Sequence, residues 1–238
     1  MSLSGCGCGL PAPLARETEG VVTHSLQFDP ASHRYSVDGA WVPSVTQTLQ
    51  AVGLASDFAH VPAEVLERKR AIGEAVHTAC HYDDEGDLDE ATVHPDVRPY
   101  LEGWRLFRRE MGFVPLLLET RVYHPLYRYA GTLDRFGRLE HQSGVYVLVD
   151  LKTGDPEAAA AALQTAAYVE ALRLARAHPV LAALPDDVAV ERWSVQLRPD
   201  GTYRVRVYPV REHYRDFGVF CAALQVVWYR AANGGMVR

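Results

Sequence analysis

Lysine is almost missing from this chain. Of its 24 basic residues only Lys69 and Lys152 are lysines, and Ile72 and Asn233 are the sole isoleucine and asparagine. Shared depletion of these three types points to a GC-rich coding sequence that takes arginine wherever either cation serves. A lysine retained at position 152 then marks a place where a compact ammonium differs in use from a planar guanidinium. Cysteine is scarce as well. Cys6, Cys8, Cys80 and Cys221 are too scattered for a disulfide framework. The spacing of Cys6 and Cys8 is not a usual zinc pattern, and Cys80 reads as a small buried residue on a helix. No apolar run approaches the roughly 18 residues that cross a bilayer, so no membrane partner is expected. The amino terminus shows no charged-then-apolar leader pattern, and the expected location is cytoplasmic. Gly-x-x-x-x-Gly-Lys-Ser/Thr is absent, which excludes an ATP-driven motor of that type. The net charge of −6 argues against a passive nucleic-acid coat but leaves room for a local basic groove.

What is present divides by period. Residues 1–20 hold Gly, Pro and Ala without periodicity and are expected to be a disordered lead, followed by one domain over 21–238. Short strands are expected at 26–28 and 33–37, with a turn at Asp38-Gly39. Ser44 reads as the N-cap of a short helix that turns Val45, Leu49 and Val52 inward; the hydroxyls of Ser44, Thr46 and Thr48 are candidate phosphate donors. A helix over 62–82 places Val65, Ile72, Val76, Ala79 and Cys80 on one face, with His77 at its margin and Gly73 one turn before it. The run Asp83-Asp84-Glu85-Gly86-Asp87 reads as a solvated acidic turn. A second helix over 95–111 turns Val97, Leu101, Trp104 and Leu106 to the core, and Arg105, Arg108 and Arg109 form a basic surface on it.

The period then changes to two. Strands are expected over 113–123, 127–139 and 144–152, and acidic residues fall inside them: Glu119, Asp134 and Asp150. Three carboxylates on adjacent strands repel one another unless a cation neutralises them. Asp150 and Lys152 are two apart on one strand, so they share a face. An Ala-rich helix beginning at Pro156 and running to about 177 sets Gln164 and Tyr168 four apart on one side. A hairpin over 188–197 and 202–208 and an amphipathic helix over 211–232 close the chain. Arg68, Arg70 and Arg121 join Arg105 and Arg108 as candidate phosphate contacts, and Tyr127, Tyr129 and Trp104 as candidate stacking surfaces.

Taken in order, helix His77, strand Glu119, Gly131-Thr132-Leu133-Asp134, Asp150-Leu151-Lys152 and Gln164-x-x-x-Tyr168 resemble the PD-(D/E)XK nuclease superfamily, and within it the RecB-type exonucleases. The opening His33-Arg34-Tyr35, Asp38-Gly39 and Pro43-Ser44-Val45-Thr46 is similar to phage-type and mitochondrial genome maintenance exonucleases of that group. The resemblance covers about residues 26–170. It implies an α/β fold with a restriction-endonuclease-like core, in which a mixed sheet of about four or five strands is flanked by helices and the site lies at one edge of the sheet. It implies that Asp134 and Asp150 hold Mg²⁺ or Mn²⁺ with His77 and the Leu151 carbonyl, with Glu119 contributing through a water. Lys152 would orient or activate the attacking water, while Gln164 and Tyr168 would meet the nucleic acid or steady Lys152 and the metal shell; Arg105 and Arg121 are nucleic-acid candidates by their charge alone. Some relatives carry an iron–sulfur cluster on one early and three late cysteines; here only Cys221 is late, so none is expected. The implied activity is metal-dependent exonucleolytic hydrolysis of DNA, on single strands or duplex ends, in repair, recombination or replication, alongside a partner protein of such a pathway. A bacterial or phage-encoded origin is expected. An endonuclease on the same core, or a DNA-binding subunit that kept the fold without catalysis, are the alternatives.

Overall fold

The apolar runs of the central third form a continuous sheet. The structure, a computed structural model, describes residues 24–55, 62–154, 159–175, 178–185 and 188–234. The expected lead over 1–20, the pair Cys6 and Cys8, and the helix start at Pro156 lie outside the described residues. Three strands, β1 (Leu26–Asp29), β2 (Arg34–Val37) and β3 (Ala40–Val42), form a small antiparallel sheet. They lead into α1 (Val45–Ala51), where Ser44 and Gln47 make the reciprocal bonds of a capping box. Next come α2 (Ala63–Glu85) and α3 (Arg98–Met111). The main sheet follows in the order β4 (Phe113–His124), β5 (Tyr129–Leu139), β6 (Tyr146–Lys152), β7 (Val190–Leu197) and β8 (Tyr203–Tyr208). Neighbours are antiparallel except β6 and β7, which run parallel, joined by a crossover that contains α4 (Ala159–Leu174) and the short α5 (Pro179–Ala182). The last helix is α6 (His213–Ala232).

This is a mixed α/β architecture with helices on both faces of the sheet. Leu133, Phe136 and Leu148 pack with α1, α4 and α6, while Val147, Val149 and Leu151 pack with α2 and α3. Strand β6 is buried on both faces, as a central strand between helical layers must be. Because side chains alternate, Asp150 and Lys152 share the face of Leu148 and so meet α4. The small sheet is fastened to the large one by the Ala130 N–H donating to the Pro43 carbonyl at 3.0 Å and by a 2.7 Å bond between the Tyr35 and Thr132 hydroxyls. It also meets the end of α6: Trp41 and Trp228 pack edge to face, and Arg230 donates to the Ala51 carbonyl. Among the described residues no helix is long and apolar enough to cross a membrane.

Four sequence expectations need correction. Helix α2 runs three residues past 82, because Asp83 and Asp84 are held by cations from α3 and β5; Gly86, at φ +74°, ends it in the left-handed conformation that glycine tolerates. Asp84 is fully buried rather than solvated. Val65 is exposed, since the first turns of α2 project past the core and α2 begins to pack inward at Ile72. On α3 the buried residue is Phe107, with Leu106 at the margin.

Candidate metal centre and cleft

The site forms where β5 and β6 part. Their ladder runs from Arg138↔Tyr146 to Arg135↔Val149 and stops there. One residue further along, the Asp134 carboxylate takes over: its Oδ2 accepts the Leu151 N–H at 2.7 Å, a donor the diverging β5 backbone no longer reaches. On the other side of Asp134, Glu119 sits between the pairs Leu118↔Arg135 and Thr120↔Leu133. Its backbone is at φ +41°, a left-handed conformation that costs a non-glycine residue on the order of 1–3 kcal/mol. His77 reaches the same spot from α2, with Nδ1 3.7 Å from Glu119 Oε1 and 3.9 Å from Asp134 Oδ1. Ligand atoms of these three residues all lie within 4.8 Å of one another.

Electrostatics at this cluster follow from crowding. Burial pushes the Asp134 carboxyl up to about 6; the charges of Asp150 and Glu119 add to this, against the pull of His77. Burial disfavours a charged His77, yet the negative charges of Asp134 and Glu119 prevail and hold it above its usual value. Two carboxylates and an imidazole in such a group suit a divalent cation, which satisfies acids that otherwise resist ionising together. The donor set therefore fits the expected Mg²⁺ or Mn²⁺, with the imidazole favouring the latter.

The composition of the cluster differs from the expected one. Glu119 belongs to the close group, whereas Asp150 does not. Asp150 is buried, with Oδ1 accepting Lys152 Nζ at 2.9 Å and Oδ2 accepting Ser194 Oγ at 3.1 Å. Ser194 is in turn 3.1 Å from the Tyr208 hydroxyl. An ammonium two residues along the same face pairs with Asp150 instead. For Lys152, burial works against the charged form, but Asp150 and Asp134 outweigh it and hold the pKa up. Lys152 is thus a fixed cation. Its Nζ is also 3.4 Å from Gln164 Oε1, and Gln164 Nε2 donates to the Tyr168 hydroxyl at 3.3 Å. Leu151 lines the cleft, and its N–H is the group that the Asp134 carboxylate engages.

These side chains open into a cleft of about 880 Å³. Its far wall is the small sheet and α1, through Phe28, His33, Tyr35, Ser44, Thr46 and Gln47, and Arg70 and Glu74 of α2 close another side. Ser44 and Thr46 therefore line the cleft, but Thr48 is buried and donates to the Ser44 carbonyl. Arg121 sits at the rim, its guanidinium 5.2 Å from the centroid of the Phe28 ring. Arg105 is not brought to the cleft: it is tied to Asp83, Glu90 and Glu102. Arg108 pairs with Asp84 and Arg68 with Asp96. Trp104 and Tyr129 are buried core residues with no face for a base, whereas Tyr127 is exposed.

Sequence reasoning overlooked Ser194, Arg135 and the Tyr35–Thr132 bond. A serine between Trp193 and Val195 in an otherwise apolar strand was a legible signal for the first. Arg135, next to Asp134, hid in plain view among 22 arginines. No family model matches the chain, and no curated protein matches it.

Proposed function

We propose that the chain is a divalent-metal-dependent deoxyribonuclease with a restriction-endonuclease-like core of the RecB type, acting as an exonuclease on single strands or duplex ends. The observation that carries this reading is the juxtaposition of His77, Glu119 and Asp134 with the charged Lys152 in one open cleft. His77, Glu119 and Asp134 would hold the cation, and Asp150 would keep Lys152 in place. When bound, Mg²⁺ or Mn²⁺ lowers the pKa of a coordinated water and offsets charge on a phosphoryl oxygen.

The remaining roles belong to the chain itself. Lys152 presents an ammonium beside the carboxylates, where it counters charge developing on the scissile phosphate. Gln164 and Tyr168 fix the direction of that ammonium from α4. Arg70 and the hydroxyls of Ser44 and Thr46 offer donors along the cleft for the sugar–phosphate backbone. Arg121 adds a cation at the rim. Binding through such contacts weakens as salt rises.

The test is cleavage of end-labelled single- and double-stranded DNA with Mg²⁺, Mn²⁺ or a chelator, alongside Asp134→Asn. Products released stepwise from an end, abolished by chelator and by the substitution, are expected. Internal cuts would favour an endonuclease. Metal and DNA binding without cleavage would favour a non-catalytic subunit, and equal activity in wild type and Asp134→Asn would sink the assignment.

A further inference from the structure

Arg135 is an expensive residue whose position calls for a purpose. It stands inside the sheet with its side chain fully buried, where a charge costs several kcal/mol to desolvate unless it is well paired. Its Nε donates to Asp84 Oδ2 at 2.6 Å, and its Nη1 donates both to Glu119 Oε1 and to the Asp134 carbonyl at 2.8 Å. The Trp104 ring lies under the guanidinium at 5.8 Å, and the Trp104 Nε1–H donates to Asp84 Oδ1 at 2.9 Å. Asp84 is itself fully buried and receives Arg108 as well. Asp84 therefore has other donors without Arg135. Glu119 depends on Arg135 more heavily: its left-handed backbone does not belong to a regular strand, and among the described residues its carboxylate otherwise pairs with His77, at 3.7 Å.

We infer that Arg135 is a positioning residue: anchored on Asp84 at the back of the sheet, it holds the Glu119 carboxylate within reach of the cation bound by His77 and Asp134. The role rests on the metal-centre reading above. A planar guanidinium is suited to it because one group spans two carboxylates on different elements in fixed geometry. It also explains the acidic residues at the end of α2. Asp84 is not part of a solvated turn but the rear anchor of a line of contacts running from α3 through α2 and β5 to the cleft. An outer partner that orients a ligand commonly changes metal affinity by about 10–100-fold when removed.

The experiment is a calorimetric Mn²⁺ titration of the full chain, paired with the Mn²⁺ dependence of DNA cleavage and a thermal melt of each variant. Arg135→Lys keeps the charge but reaches one anchor at a time, and should raise the Mn²⁺ midpoint about tenfold while leaving the rate at saturating Mn²⁺ within about threefold. Asp84→Asn, which touches nothing in the cleft, should shift the midpoint the same way by less. In a Glu119→Gln background Arg135→Lys should add no further shift, since its effect passes through that carboxylate. Trp104→Phe removes the N–H on Asp84 together with part of a fully buried ring, so its midpoint is read beside its melt, and it serves if the charge variants do not fold; a shift of about twofold is expected. A purely structural role would lower the melting temperature and leave every midpoint unchanged in the folded variants, which overturns the inference. So does a full Arg135→Lys shift that persists in Glu119→Gln. A wild-type chain that binds no Mn²⁺ overturns the metal reading and this one together, whereas a wild type that binds and cleaves beside unshifted variants removes only the positioning role.

Discussion

Lys152 and Lys69 have opposite circumstances. Lys69 is exposed on the projecting start of α2, while Lys152 lies between Asp150 and Gln164 at the floor of the cleft. An ammonium there is compact enough to bond both partners and still face the cleft, where a guanidinium would need a wider space. Lys152→Met keeps the alkyl stem and leaves Asp150 with Ser194 as a partner. DNA cleavage should fall on the order of a hundredfold or more, as for loss of a single charge-stabilising donor. Mn²⁺ binding should persist, because Lys152 is outside the ligand group. Cleavage of end-labelled DNA and a metal titration on the same sample check both halves; wild-type cleavage would remove Lys152 from the chemistry.

At the scale of elements, the contact between β5 and α4 sets the site. An added Cβ on Gly131 would lie 2.5 Å from Tyr168 Cε1, closer than any real contact. The glycine three residues before Asp134 thus lets the Tyr168 ring rest on the strand, and through Gln164 fixes the angle from which α4 addresses Lys152. Gly131→Ala should destabilise the protein by about 1–3 kcal/mol, as overpacking of a filled core does. Urea denaturation measures it, and an unchanged midpoint would show that α4 moves freely.

Much at this scale was legible beforehand. Alternation gave β4 to β6, the cap gave the start of α1, and a four-residue step put Gln164 and Tyr168 on one side. What escaped has a physical reason. Periodicity shows which face of a helix is apolar but not how much of its length has something to pack on, so Val65 was misplaced. Asp84 finds Arg135 51 residues later in the chain, and no local pattern announces such a pair. The division of the acids between His77 and Lys152 depends on where two strands diverge, which residue spacing does not encode.

For the whole molecule, stability should carry a pH dependence set far from the cleft. His124 is buried among Tyr127, Tyr129 and Phe217, and burial lowers its pKa from the usual value despite the opposing charge of Glu170. The unfolded chain then binds more protons than the folded one just below pH 6.5, so this contribution is present at neutral pH and is lost as the pH falls. His77, held above its usual value, acts in the opposite sense. Comparing wild type with His124→Gln isolates the first effect. The stability advantage of wild type over the variant should be smaller at pH 5.5 than at pH 7.5, by chemical denaturation at both; a constant difference would mean that folding leaves the His124 pKa unchanged.

The far wall of the cleft has a further consequence in time. The small sheet and α1 are translated before the main sheet, yet Trp41 and the Ala51 carbonyl rest on Trp228 and Arg230 of α6. Sequence separations this large delay contact formation, because the ends of a long loop must meet before they are rewarded. His77, Glu119 and Asp134 are therefore all synthesised before α6 can brace the wall opposite them, and until then that wall has only its contacts to Ala130 and Thr132 of β5. During synthesis the cleft stands half-braced, and its finished form appears only once α6 has emerged to support the wall.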